Sequence, residues 1–160
     1  CIVPEKREER TTEGGLDAAG GHNHLARFVR DMGNADIRVS LFIEPDPIQV
    51  AAAAQLGAPV IELHVGAYCD AEDEAAKELH YQRIVDAAER ADQLGLECHA
   101  GHGISFETVG PIAAIPSLME LNIGHFLIGE AIYVGLADTI KEMRRRMDVA
   151  RAIAVTERAS

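Results

Sequence analysis

The chain has 160 residues, of which 48% are hydrophobic, 26% charged and 4% aromatic, a composition that excludes a disordered or collagen-like chain and suits one globular unit. Fifteen Lys and Arg against 26 Asp and Glu leave a formal net charge of −11, which argues against nucleic acid or an anionic membrane as partner. No uncharged apolar run approaches the ~20 residues of a membrane helix, and three Cys (Cys1, Cys69, Cys98), odd in number and without metal-ligand spacing, read as free thiols in a cytoplasmic protein.

Five β-like runs are expected. Cys1–Glu5 comes first and reads as a strand already under way, without an initiator Met, so an upstream portion is expected. A charged segment and Thr11-Thr12-Glu13-Gly14-Gly15 follow it. The other runs are Arg38–Glu44, Val60–Gly66, Glu97–Gly101 and Leu121–Ile128. Asp46-Pro47 has the form of a helix N-cap and first residue, ahead of Ile48, Ala51, Ala52 and Leu56 on one face. Ile84, Ala87, Ala88 and Ala91 recur at helical spacing, and Ile140, Met143, Met147 and Ala150 predict a terminal helix. Gly33, Gly57 and Gly95 stand where helices should stop.

Alternating apolar strands and helices mean parallel βαβ units. An open doubly wound sheet and a (β/α)8 barrel both satisfy that pattern. The open sheet fits the length; the polar residues fit the barrel. In VIELHVG, Glu62 and His64 share one face, and in RVSLFIE, Ser40, Phe42 and Glu44 do. A carboxylate and an imidazole on a buried strand suit a barrel interior near its catalytic mouth. The expected fold is therefore α/β, a TIM-barrel portion with five parallel strands. Residues 1–151 would form the C-terminal part of a single barrel domain and 152–160 a tail. Three upstream units, roughly 90 residues on the barrel's scale, would be absent.

Two junctions stand out as sites. His99-Ala100-Gly101-His102-Gly103 ends a strand with an imidazole between glycines, a place for a proton donor near neutral pH or for a solvated turn. Leu121-Asn122-Ile123-Gly124-His125 falls where barrels bind phosphate with backbone amides. The alternatives there are a bulge at Gly124 and a satisfied buried His125. Glu62 and His64 read either as a structural ion pair with a neighbouring strand or as a carboxylate that stabilises developing positive charge or holds a catalytic group in its tautomer. No metal site is expected from His99 and His102, which alternate in direction along the strand.

Together VPEKREERTTEGGLD, RVSLFIE, GAPVIELHVGAY, AGHGI and IPSLMELNIGHFLIGEAI resemble the pyridoxine 5′-phosphate synthase family, in order from residue 1 to about residue 151. The resemblance implies a transferase of vitamin B6 biosynthesis. It would condense 3-amino-2-oxopropyl phosphate with 1-deoxy-D-xylulose 5-phosphate to pyridoxine 5′-phosphate, phosphate and water. It also implies no metal or organic cofactor and a homo-octamer. By the same resemblance His102 is the proton donor and Glu62 the transition-state stabiliser. Gly103, Gly124 and His125 hold the amino ketone phosphate, and Thr11 contacts the deoxyxylulose phosphate. His99 occupies a position whose role the family pattern leaves open. Other acid–base residues of the family precede this chain, so the 160 residues alone are expected to be inactive. The alternatives are another phosphate-binding barrel enzyme and a non-catalytic fragment acting only in assembly.

Overall fold

A computed structural model describes residues 1–4 and 14–159. The chain enters helix α1 (His22–Asn34), then alternates β1 (Ser40–Ile43), α2 (Pro47–Gln55), β2 (Val60–His64), a single turn α3 (Gly66–Cys69), α4 (Glu74–Gln93), β3 (Glu97–Gly101), α5 (Val109–Ala114) and β4 (Leu118–Asn122). Two helices close it, α6 (His125–Val134) and α7 (Leu136–Ala159).

Local chemistry accounts for several of these boundaries. Asp46 caps α2, accepting the Ile48 and Gln49 amides at 2.8 and 3.3 Å, with Pro47 in the first turn. Asp73 caps α4 through the Ala76 amide at 2.8 Å. Gly57 and Gly95 follow α2 and α4 at φ +78° and +73°, left-handed values that end a helix cheaply only in glycine. Gly33, expected at a helix end, lies inside α1; the left-handed residue beyond that helix is Asp36.

The four strands form one parallel sheet in the order β1-β2-β3-β4. A doubly wound sheet reverses its order at a switch point; this one does not. Right-handed crossovers between successive neighbours then carry the crossover helices α2, α4 and α5 to one face. The core agrees, because Leu41, Ile43, Ile61, Leu63, Cys98 and Ala100 pack in one cluster with Val50 and Ala53 of α2, Ile84 and Ala88 of α4, Ile112 of α5 and Met143 of α7. Burying each large aliphatic side chain stabilises the fold by about 1.5–3 kcal/mol. The winding is consistent with a barrel segment.

Two expected strands change. Cys1–Glu5 is not an extended strand over its described residues. Ile2 instead makes an isolated parallel bridge to Leu41, with its amide on Ser40 O at 2.8 Å. The sheet of named strands thus has four members where five were expected. The run Leu121–Ile128 is a strand only at its start. β4 ends at Asn122, and His125 begins a helix. An apolar run of this length suits either element, and Gly124 is where the backbone turns helical.

α7 runs unbroken across residue 151. Near its end Arg151 donates to the carbonyls of Ile115 (2.9 Å), Pro116 (3.1 Å) and Leu118, which fixes the entry to β4. Among the described residues no helix is long and apolar enough to cross a membrane.

Candidate active site

The sheet face turned away from the helices carries the polar side chains. Strand register aligns Phe42 with Glu62 and Glu62 with His99 in one row, and His64 with Gly101 and Asn122 in the next. Laterally paired residues of a parallel sheet point the same way, so alternation delivers all of these to the face opposite the core.

Beyond the C-terminal ends of the strands lies a cleft of 670 Å³ bordered by Glu62, Asp70, His102, Asn122, Gly124 and His125. His102 has φ +75° and Gly103 φ +80°. Sequence reasoning reserves such angles for glycine, yet an imidazole holds one here. A strained non-glycine backbone beside a cleft marks a site whose surroundings over-determine it. Gly103 is needed on packing grounds too, since an added Cβ would sit 3.0 Å from Cys69 Cβ. Burial lowers the His102 pKa below the ordinary histidine value, with the nearby imidazoles of His64 and His125 pushing the same way and Asp70 opposing.

Glu62 is half-buried on β2. Its Oε2 accepts the Asn122 amide Nδ2 at 2.9 Å and lies 3.6 Å from Cys1 Sγ. Burial raises its pKa above the usual carboxylate value, and the Asn122 hydrogen bond only partly offsets this. Glu44, past the end of β1, behaves oppositely. His64 beside it and the Gly15 amide at 2.8 Å hold its carboxyl below the usual range against the cost of burial. His64 Nδ1 stands 3.0 Å from Glu44 Oε1, an ion-pair approach off the hydrogen-bond line, and among the described residues neither ring nitrogen has a hydrogen-bond partner.

The start of α6 lines the same cleft. Gly124 is its N-cap, no side chain among the described residues caps it, and Gly124 and His125 are both exposed. The first-turn N–H groups of such a helix are free for an anion. Phe126 anchors this turn edge-to-face on Phe106 (4.8 Å between centroids), and the Arg146 guanidinium lies 4.7 Å over the Phe106 ring.

The structure thus brings Glu62, His102, Gly103, Gly124 and His125 to one cleft; Thr11 lies outside the described residues. His125 is not the buried histidine that its apolar neighbours allowed. His99 stands apart, deeper on the sheet, with Nε2 2.7 Å from Glu97 Oε1 and Nδ1 3.5 Å from Glu120. Arg38 and His99 together hold Glu97 at a pKa of about 2, so this group forms an ion network rather than a cleft wall. Cys98, pushed up to about 12 by burial, is an inert core thiol. Among the described residues no group of three His, Cys, Asp or Glu side chains is arranged to hold a metal ion. The ion pair with a neighbouring strand, one of the two readings at Glu62 and His64, is made by His64 to Glu44, while the contact of Asn122 with Glu62 is one that sequence reasoning missed.

The family model described as pyridoxal phosphate biosynthesis protein PdxJ matches residues 1–149. The chain belongs to the PdxJ family. Three relatives named pyridoxine 5′-phosphate synthase illustrate the likeness. The Rhodospirillum rubrum protein is 63% identical over 150 residues, covering 94% of this chain and 60% of the relative. That of Jannaschia sp. is 57% identical over 154 residues (94% and 62%), and that of Bradyrhizobium diazoefficiens 53% over 155 residues (95% and 62%). This PdxJ chain spans about three-fifths of the length of these relatives.

Proposed function

We propose that this PdxJ chain supplies the phosphate shelf and one acid of a pyridoxine 5′-phosphate synthase. Such a transferase joins 3-amino-2-oxopropyl phosphate to 1-deoxy-D-xylulose 5-phosphate, releasing phosphate and water. The observation that carries the reading is the cleft itself, where Glu62, His102 and the uncapped N-terminus of α6 line one space. The names of the relatives support it.

In this reading the amino ketone phosphate docks on the Gly103 backbone and on the Gly124–His125 end of α6. Its charge is met by fixed N–H dipoles despite the acidic surface. Thr11 contacts the phosphate of the second substrate. His102 donates the proton that lets an oxygen leave as water, and its lowered pKa makes it a stronger acid once protonated. Glu62 stabilises positive charge as it develops on the condensing nitrogen, a task that needs a carboxylate close but not solvated.

The reaction's remaining acid–base groups would come from the part of the fold that the relatives have and this match does not span, so the 160 residues alone turn over little. The assembly would be a homo-octamer in the cytoplasm. The exposed Ile132, Tyr133, Leu136 and Ile140 along α6 and α7 support association. The test is product formation from both substrates, by the 160-residue chain and by a chain of the relatives' full length carrying these residues. Product at an ordinary enzymatic rate from the long chain alone is expected. No product from the long chain would refute the assigned activity; equal rates from both would refute the need for further groups.

A further inference from the structure

His64 takes no part in the chemistry above, yet it is the most enclosed imidazole of the site, 7% exposed with both ring nitrogens buried and, among the described residues, without a hydrogen-bond partner. Its one polar neighbour among them is an ion-pair contact to Glu44; burying an imidazole whose Nε2 meets no such group is costly, and an aliphatic side chain would fill the space without that cost. Its neighbours explain the choice. The ring lies 4.8 Å from the His102 ring, centroid to centroid and tilted by 45°, and meets Phe42 edge-on at 5.2 Å. Gly66 makes the room: a Cβ there would be 3.0 Å from His64 Nε2 and 3.1 Å from His102 Cδ2. On the other side Nδ1 is 3.0 Å from Glu44 Oε1, the same oxygen that accepts the Gly15 amide at 2.8 Å. Gly15, Glu44, His64 and His102 thus follow one another as a contact chain from the segment ahead of α1 into the cleft.

We infer that His64 is a positioning residue for His102, seated between Glu44 and that ring so as to fix the ring's orientation and its share of the proton. This rests on His102 being the proton donor. Two imidazolium rings at this separation repel, so a charge on His64 opposes a proton on His102. The charged groups facing the two rings are Glu44 from the end of β1, with Arg83 of α4 acting on it, Asp70 after α3 and His125 at the start of α6. Asp70 favours a proton on His102, and His64 and His125 oppose it.

The 160-residue chain itself serves for the test, by following the imidazole carbon-bound protons through a pH titration by NMR. In the unaltered chain the His64 signal should bend at the midpoint of His102. In His64→Gln the His102 midpoint should rise by about half a pH unit, the size expected for removing a like charge at this distance in a water-like medium. His64→Phe restores a ring against His102 but no charge, so it should show the same rise. A His102 midpoint that stays put in folded His64→Gln, or that returns to its original value in His64→Phe, overturns the inference. Should both variants fail to fold, a His64 signal blind to His102 in the unaltered chain does so. None of these readings depends on turnover, so the outcome separates from the fate of the proposed activity, which His102→Asn probes in the long chain.

Discussion

Glu62 and Asn122 belong to strands that are not neighbours, and they meet because Gly101 on the strand between them has no side chain. Asn122 Nδ2 reaches Glu62 Oε2 at 2.9 Å directly over β3. A methyl group at Gly101 would collide with Glu62 Oε1 and stand 3.2 Å from Asn122 Cβ. Gly101 is therefore a spatial requirement of the site, not a turn residue.

The first prediction concerns that position. Gly101→Ala should push the Glu62 carboxylate off Asn122 at little cost in stability, because the atom displaced is the free end of a flexible side chain lining the cleft. NMR of the Asn122 side-chain amide measures it, and those protons should shift toward the values of a carboxamide without a carboxylate partner. An unmoved amide signal would mean that the carboxylate keeps its place beside the new methyl group.

The second uses the backbone at His102. A β-branched residue tolerates φ +75° poorly, whereas glycine adopts it freely. His102→Val should lower stability by about 1–3 kcal/mol, and His102→Gly should not lower it. In a long chain of this family, His102→Asn should cut turnover by roughly 10²-fold or more with substrate affinity retained. Lost affinity with intact turnover would make His102 a binding contact instead.

Two carboxylates should respond to pH with opposite signs. The Glu44 carboxyl is lowered in the fold, so its contribution is present above the ordinary carboxylate value of 4.5 and is lost as pH falls through the lowered one. Glu44→Gln should flatten the acid limb of a stability–pH curve. Glu62 is raised, so the native state holds its proton longer than the unfolded chain and stability declines as pH rises from 4.5 through the raised value. Glu62→Gln should be more stable than the parent at neutral pH, with the difference vanishing below that window. Thermal melts across pH decide both, and parallel curves for parent and Glu62→Gln would contradict the second.

A fourth prediction separates fold from ligand at Gly124. Its backbone is right-handed, and a Cβ there would meet nothing within 4 Å. Neither the chain's conformation nor its packing requires glycine. Gly124→Val should leave the melting temperature nearly unchanged and weaken binding of the amino ketone phosphate, by obstructing the approach of the phosphate to the α6 amides. Calorimetric titration of each substrate checks this. Unaltered affinity would place the phosphate elsewhere.

Features set by neighbours in the chain were legible in advance. Asp46-Pro47 specified the start of α2, and Ile84, Ala87, Ala88 and Ala91 gave the buried face of α4. Alternation placed Glu62 and His64 on the polar side of β2. What escaped depends on register between strands. Asn122 contacts Glu62 only across Gly101, and His64 takes Glu44 as its partner only because β1 and β2 lie side by side. The end of β4 escaped for another reason. Residues 121–128 are apolar enough for either element, and α6 then buries none of its residues, so burial periodicity held no information there. The left-handed angles of this turn fall on His102 and Gly103, whereas Gly101 lies in β3 and serves there by its clearance.

Arg151 ties these observations to a distant part of the chain. Three carbonyls ahead of and within β4 converge on one guanidinium near the far end of α7, so the last turns of that helix act as a tether on the strand that carries Asn122. A slip in β4 by one residue would turn Asn122 to the opposite face and strand the Glu62 carboxylate without its donor. The alignment of the cleft is thus secured from behind the sheet, by a side chain two residues past the matched span. Arg151→Ala should loosen amide-exchange protection along β4 while leaving β1 and β2 protected, a pattern that hydrogen–deuterium exchange resolves strand by strand.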